Sequence, residues 1–155
     1  MIDRYKTPEM DRIWSDQNRF EIWKKVELSV TEVLCEHGEV PEKSWKVIKE
    51  KADFRIERIL EIEKVTRHDV IAFLTNMAEF IGPDSRYVHM GMTSSDLLDT
   101  SLAMQCREAG LIILEKLNLF YDILCKRAIE FKDTFQMGRS HGIHAEPITF
   151  GLKLA

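Results

Sequence analysis

Nothing in this sequence approaches the roughly 18 uninterrupted apolar residues that a membrane-spanning helix requires. The opening MIDRYKTPEM has no apolar h-region either, which argues against secretion. Cysteine is sparse: Cys35, Cys106 and Cys125 are odd in number and widely spaced, which excludes a disulfide frame and a clustered metal site. They read as reduced core thiols of a cytosolic protein. Basic residues are not in excess: 22 Lys and Arg stand against 26 Asp and Glu, a net charge of −4, leaving no basic stripe for a nucleic-acid backbone. A cytoplasmic protein without nucleic-acid or membrane partners is expected. No alternating strand of any length stands out. With 45% hydrophobic content in 155 residues, one ordinary domain can bury a core of its own.

What remains is helical pattern. Ser15 suits the cap of a helix whose apolar positions Phe20, Trp23, Val26, Val30 and Val33 recur at spacings of three and four, with Gly38 as its stop. Pro41 fits the first turn of a short helix carrying Trp45 and Ile48. Asp53 is a cap candidate for a third, with Ile56, Ile59 and Leu60 on it. Thr66-x-x-Asp69 fits a capping box ahead of Val70, Phe73, Leu74, Met77 and Phe80, and Gly82-Pro83 ends that run.

From Thr93 to about Lys132 there is no proline, and the one glycine, Gly110, is isolated. Leu114, Leu117, Tyr121, Leu124, Ala128 and Phe131 form a heptad-like seam. Forty helical residues are ~60 Å long, too long to be covered by the residues before them, so the seam calls for other long helices, from further chain or another subunit. The expected fold is all-α: a small helical N-terminal domain over residues 1–92, then, over 93–155, the start of an elongated helical bundle that is incomplete here. The last residues stop inside an apolar run (Ile148, Phe150, Leu152, Leu154) without a helix-stop signal, which suggests a fragment.

Four clusters at helix edges hold the unusual polar residues: Arg4-Tyr5, Arg67-His68-Asp69, His89 with Thr93-Ser94, and Arg139 to Glu146. His68 in a first helical turn, and Thr93 and Ser94 at the start of the long helix, are placed where free N–H groups and the dipole favour an anion. Each has a plain structural reading. Thr66-x-x-Asp69 and Thr93-x-x-Asp96 are ordinary capping boxes, His89 alone is a packing histidine, and Arg4-Tyr5 means little by itself. His141-x-x-His144 lacks the third and fourth ligands of a zinc centre. The stretch GRSHGIHAEP is different. Two imidazoles, a guanidinium and a hydroxyl on a glycine-containing loop are poor core material and suit acid–base chemistry on an anion, with Pro147 opening the next helix.

In this order the clusters resemble the adenylosuccinate lyases of the fumarase/aspartase superfamily, over the whole chain. The resemblance rests on the N-terminal Arg4-Tyr5, on ILEIEKVTRHDVIAF around Arg67 to Asp69, on VHMGMTSSDLLDT from His89 to Asp99, and on GRSHGIHAEPITFG. The superfamily shares a GR-[ST]-H core in the last block, and its continuation through His144, Ala145, Glu146 and Pro147 is similar to the purine branch. Ser95 and Ser140 stand where Thr is common, keeping the hydroxyl.

The resemblance implies an all-helical homotetramer whose active sites take loops from three subunits. It implies elimination of fumarate from adenylosuccinate to give AMP, and from succinyl-aminoimidazole-carboxamide ribotide, in purine nucleotide biosynthesis, with no cofactor or metal. The family's loop bearing the serine base lies outside these 155 residues, so the chain alone is expected to be inactive. In this chemistry His141 is the expected general acid for the departing purine nitrogen. Thr93 and Ser94 would stabilise the aci-carboxylate, and Arg4, Tyr5, Arg67, His68 and Asp69 would bind and orient the nucleotide, with His89 joining the phosphate pocket. An alternative division makes His68 the acid and His141 the base. The runner-up functions are another fumarate-releasing lyase, such as one like argininosuccinate lyase, and a non-catalytic helical interaction module.

Overall fold

The computed structural model describes residues 2–155, which fall into two compact units that divide between Ala109 and Gly110. The first is helical. After a 3-10 turn at Asp3–Tyr5, helix α1 covers Pro8–Ile13, α2 Asp16–Glu36, α3 Glu42–Lys51, α4 Ile56–Thr66 and α5 Asp69–Ile81. A 3-10 turn at Pro83–Tyr87 leads to α6, Ser94–Glu130, which enters the second unit.

Local signals account for most of these boundaries. The Ser15 hydroxyl accepts from the Asn18 N–H at 3.1 Å and starts α2. The helix ends at Gly38, whose φ of +79° allows the Glu39 N–H to turn back onto the Leu34 carbonyl at 2.9 Å. Pro41 precedes α3 as its cap residue, and Gly82 closes α5. The expected long helix is present as α6, 37 residues without a break.

Two caps differ from expectation. Asp53 does not cap α4. Arg55 stands at that position, and its N–H is taken by the Asn76 side-chain oxygen of α5 at 2.8 Å, a tertiary bond that sequence spacing does not reveal. The Thr66-x-x-Asp69 box does not form either. Thr66 is still inside α4, Arg67 turns the chain with a left-handed φ of 53°, and His68 itself caps α5. At α6 half of the expected box is made, with the Asp96 carboxylate accepting from the Thr93 N–H at 2.8 Å.

The core of the first unit is aromatic. Phe20 and Phe73 stack at 5.6 Å, Trp23 meets both edge-on, and Ile48, Ile59, Val70, Met77, Ile81 and Leu97 close around them. The buried face of α2 departs from the expected stripe. Val33 is exposed, and the inward positions after Trp23 are Val26, Glu27 and Thr31. The cysteines are free, as expected, but they are not core thiols: Cys35 is half-buried, and Cys106 and Cys125 are exposed.

The second unit contains the chief departure from an all-helical chain, a two-stranded antiparallel hairpin of β1, Phe135–Ser140, and β2, Ile143–Thr149. Pro147 lies in β2 opposite Met137 and opens no helix; the final helix, α7, begins at Phe150, capped by Thr149. The hairpin has few residues of high strand propensity. Its turn chemistry carries it: His141 and Gly142 both adopt positive φ (49° and 79°), as the two central residues of a type I′ turn must. At the base of the hairpin, Phe150 packs on Phe131 at 5.1 Å. Gly151 lies against the end of α6 so closely that a Cβ there would sit 2.3 Å from the Ala128 carbonyl oxygen.

Candidate active site

In the second unit the turn places His141 at the hairpin tip with its side chain exposed. Behind it, Ser140 pairs with Ile143 and Arg139 with His144. Directly opposed residues on an antiparallel pair have Cβ atoms about 5 Å apart, so a guanidinium and a second imidazole sit side by side on the ribbon, one register step from the tip. Between Met137 and Arg139 the register shifts, and Gly138 occupies the irregularity. A Cβ on Gly138 would lie 2.6 Å from the Glu146 carbonyl oxygen, so only glycine lets the strands close there. The loop read from the sequence as an acid–base strip is therefore a fixed ribbon, with its polar groups exposed.

In the first unit the Arg67-His68-Asp69 cluster is the elbow between α4 and α5. Arg67 is left-handed and exposed, and lines a shallow cleft with Leu60, Glu63 and Lys64 of α4. His68 caps α5 through Nδ1, which accepts from the Ile71 N–H at 3.4 Å and lies 3.5 Å from the Asp69 carboxylate. With Nδ1 turned to the backbone, Nε2 is the nitrogen left to carry a proton. The Asp69 carboxylate accepts from the Val70 N–H at 2.8 Å, so its role in the structure is to hold the helix end. Arg4 and Tyr5 occupy the first 3-10 turn, the guanidinium 4.8 Å from the ring centre. Thr93 is exposed and Ser94 half-buried at the start of α6.

His89 has a partner that sequence reasoning did not find. Its Nδ1 lies 2.6 Å from Oε1 of Glu27, a residue with 0% exposure in the middle of α2. Burial pushes the Glu27 carboxyl above its usual range, and the hydrogen bond and charge of His89 pull it part of the way back. The backbone of His89 is left-handed, with φ of 63°. A signal was present in the sequence: Glu27 occupies the same helical stripe as Phe20, Trp23 and Thr31, where an unpaired carboxylate is unexpected.

Most of these contacts are local; the one from His89 to Glu27 spans 62 positions. Thr93 joins Asp96, His68 joins the α5 end, His89 joins Glu27, and Arg139 faces His144.

A family model described as "Lyase" matches residues 3–155. Over all 155 residues the chain is 50% identical to adenylosuccinate lyase of Bacillus subtilis (strain 168), and 50% identical to that of Synechocystis sp. (strain ATCC 27184 / PCC 6803 / Kazusa). It spans 36% of the length of each of these relatives. Among solved structures, 3-carboxy-cis,cis-muconate lactonizing enzyme from Pseudomonas putida superposes with a TM-score of 0.89 at 28% identity, over 97% of this chain and 36% of that one. Fumarate lyase from Mesorhizobium sp. BNC1 shares the fold, with a TM-score of 0.87 at 24% identity over 94% of this chain and 35% of that one. With the family model covering nearly every residue, the chain belongs to the lyase family to which that model corresponds.

Proposed function

We infer that this chain supplies part of the active site of an adenylosuccinate lyase, which eliminates fumarate from adenylosuccinate to leave AMP and from succinyl-aminoimidazole-carboxamide ribotide in purine nucleotide biosynthesis. One observation carries the reading. A chain half identical to two adenylosuccinate lyases along its whole length holds Arg4, Tyr5, Arg67, His68, Asp69, His89, Thr93, Ser94 and His141, each on a turn or helix start. β-Elimination removes a proton beside a carboxylate and breaks a C–N bond, and the departing purine nitrogen has to be protonated as it leaves. An exposed imidazole on a rigid turn suits that donation, so His141 is assigned as general acid. The base is the serine of a loop outside these residues. Thr93 and Ser94 meet the charge that develops on the carboxylate. Arg4, Tyr5, Arg67, His68 and Asp69 bind and orient the nucleotide, with His89 at its phosphate. A second division of roles, His68 as acid and His141 as base, is favoured by the way the α5 end holds His68 Nδ1 and leaves Nε2 for proton transfer.

The same reading makes residues 1–92 an N-terminal domain and 93–155 the opening of a central bundle, in a cytoplasmic homotetramer that shares active sites between subunits and needs no cofactor. Fumarate release by the full-length polypeptide, offered adenylosuccinate and, separately, argininosuccinate, tests it. Release from adenylosuccinate alone is expected. Release only from argininosuccinate would move the chain to another branch of the superfamily, and release from neither would leave a helical interaction module.

A further inference from the structure

Two separate costs converge on one pair of side chains in the first unit. Glu27 is fully buried, and its second carboxylate oxygen, Oε2, has no hydrogen-bond partner among the described residues. A buried carboxylate is expensive, and a half-satisfied one more so; an apolar residue of that size would serve packing better. His89, its partner at 2.6 Å, holds a left-handed backbone that non-glycine residues avoid. Neither cost is needed by the fold. α2 has Phe20, Trp23 and Val26 to bury, and a glycine would hold the left-handed turn position at less cost. Both costs fix the position and charge of one imidazole.

Resting on the reading of His89 as a phosphate ligand, we propose that Glu27 is a positioning residue: its buried carboxylate accepts a hydrogen bond from Nδ1–H of His89 and holds the ring as an imidazolium whose Nε2–H meets an anionic ligand. The chemistry follows from the inventory of the ring. With Nδ1–H committed to Glu27, Nε2 donates to a phosphate oxygen only if it also carries a proton, and the ring is then a cation. The carboxylate supplies the compensating charge from inside the protein, where solvent does not screen it. The His89 side chain is 17% exposed, enough for its outer edge to be reached.

The test uses the full-length polypeptide and adenylosuccinate. Glu27→Gln keeps the shape and removes the charge. KM should rise by about tenfold or more, the range for a hydrogen bond to a charged group, with kcat changed far less. His89→Gln should do the same, and the double variant should be no worse than His89→Gln, because Glu27 acts only through the ring. Additive penalties would overturn the proposal. Glu27→Met, which relieves the buried charge and should fold at least as well, is expected to show the same rise in KM; normal KM in that variant would also overturn it. A second readout does not depend on activity: ring-nitrogen NMR with 15N-labelled histidine, at neutral pH in the solid state. Both His89 nitrogens should be protonated, and Glu27→Gln should abolish that form; an unchanged ring spectrum refutes the role. If the unsubstituted polypeptide releases no fumarate from adenylosuccinate, the functional reading fails by itself, and the ring spectrum alone decides the case for Glu27.

Discussion

His141 sits on a backbone that leaves it little freedom, with φ of 49° beside a glycine at 79°. That constraint suits a proton donor, whose efficiency depends on where the proton is held. If His141 has its proposed role, His141→Ala in the full-length polypeptide should lower kcat by about a hundredfold or more, the range for a lost general acid; near-normal turnover would rule that role out. Given the proposed nucleotide-binding role of Arg4, Arg4→Ala should chiefly raise KM, since nucleotide binding is common to ground and transition states. A fall in kcat at constant KM would contradict that. At this scale the sequence was legible where chemistry-bearing residues cluster, as in GRSHGIHAEP. It was opaque where function rests on one residue far away in sequence. Glu27 and His89 are 62 positions apart, and an acidic residue in a helix of mixed charge looks like any solvated one until its face is known to be buried.

Among elements, α4 and α5 are joined by side chains as well as by packing. Asn76, 1% exposed, takes the Arg55 N–H that begins α4 and donates to Glu79 at 3.0 Å. Asn76→Ala should cost about 1–2 kcal/mol, the loss of a cap, readable by urea unfolding at neutral pH. Glu79 also receives Arg58, whose Nη2 lies 2.7 Å from the carboxylate; that bond, then the one from Asn76, holds the Glu79 carboxyl below the usual range. A lowered folded value means stability that is present above the ordinary carboxylate range and is lost as pH falls through the lowered value. The gap in melting temperature between the unsubstituted chain and Glu79→Gln should therefore shrink on acidification. A gap independent of pH would show that the ion pair contributes nothing through ionisation. The helices themselves were legible, because periodicity and capping act within a few residues. The hairpin was not. Its strands FQMGRS and IHAEPIT lack the alternation of a half-buried sheet, and what makes them pair is a His-Gly turn and a glycine too close to the opposite strand for any Cβ.

For the molecule as a whole, the feature that demands a partner is the later part of α6. Leu114, Leu117, Phe120, Tyr121 and Ile123 are each more than half exposed, and apolar residues gathered so densely on one helix mark an association surface. Sedimentation of the 155-residue chain should show concentration-dependent self-association, which the triple variant Leu114→Glu, Leu117→Glu, Phe120→Glu should reduce. A monomer at all concentrations would mean that the surface does not seek its own kind. The need for a partner was readable from the length of the helix, because a long seam has to be covered. Which helices cover it was not, because that information lies in residues that the seam does not contain.

The ribbon of β1 and β2 has one further consequence. Its shape is closed within fifteen residues, by its own turn and its own register, and hairpins of that size form in about 1–10 μs. Arg139, Ser140, His141 and His144 thus share one locally closed unit. Substitutions of the exposed side chains should therefore leave the shape of the ribbon intact as long as Gly138 and Gly142 are kept.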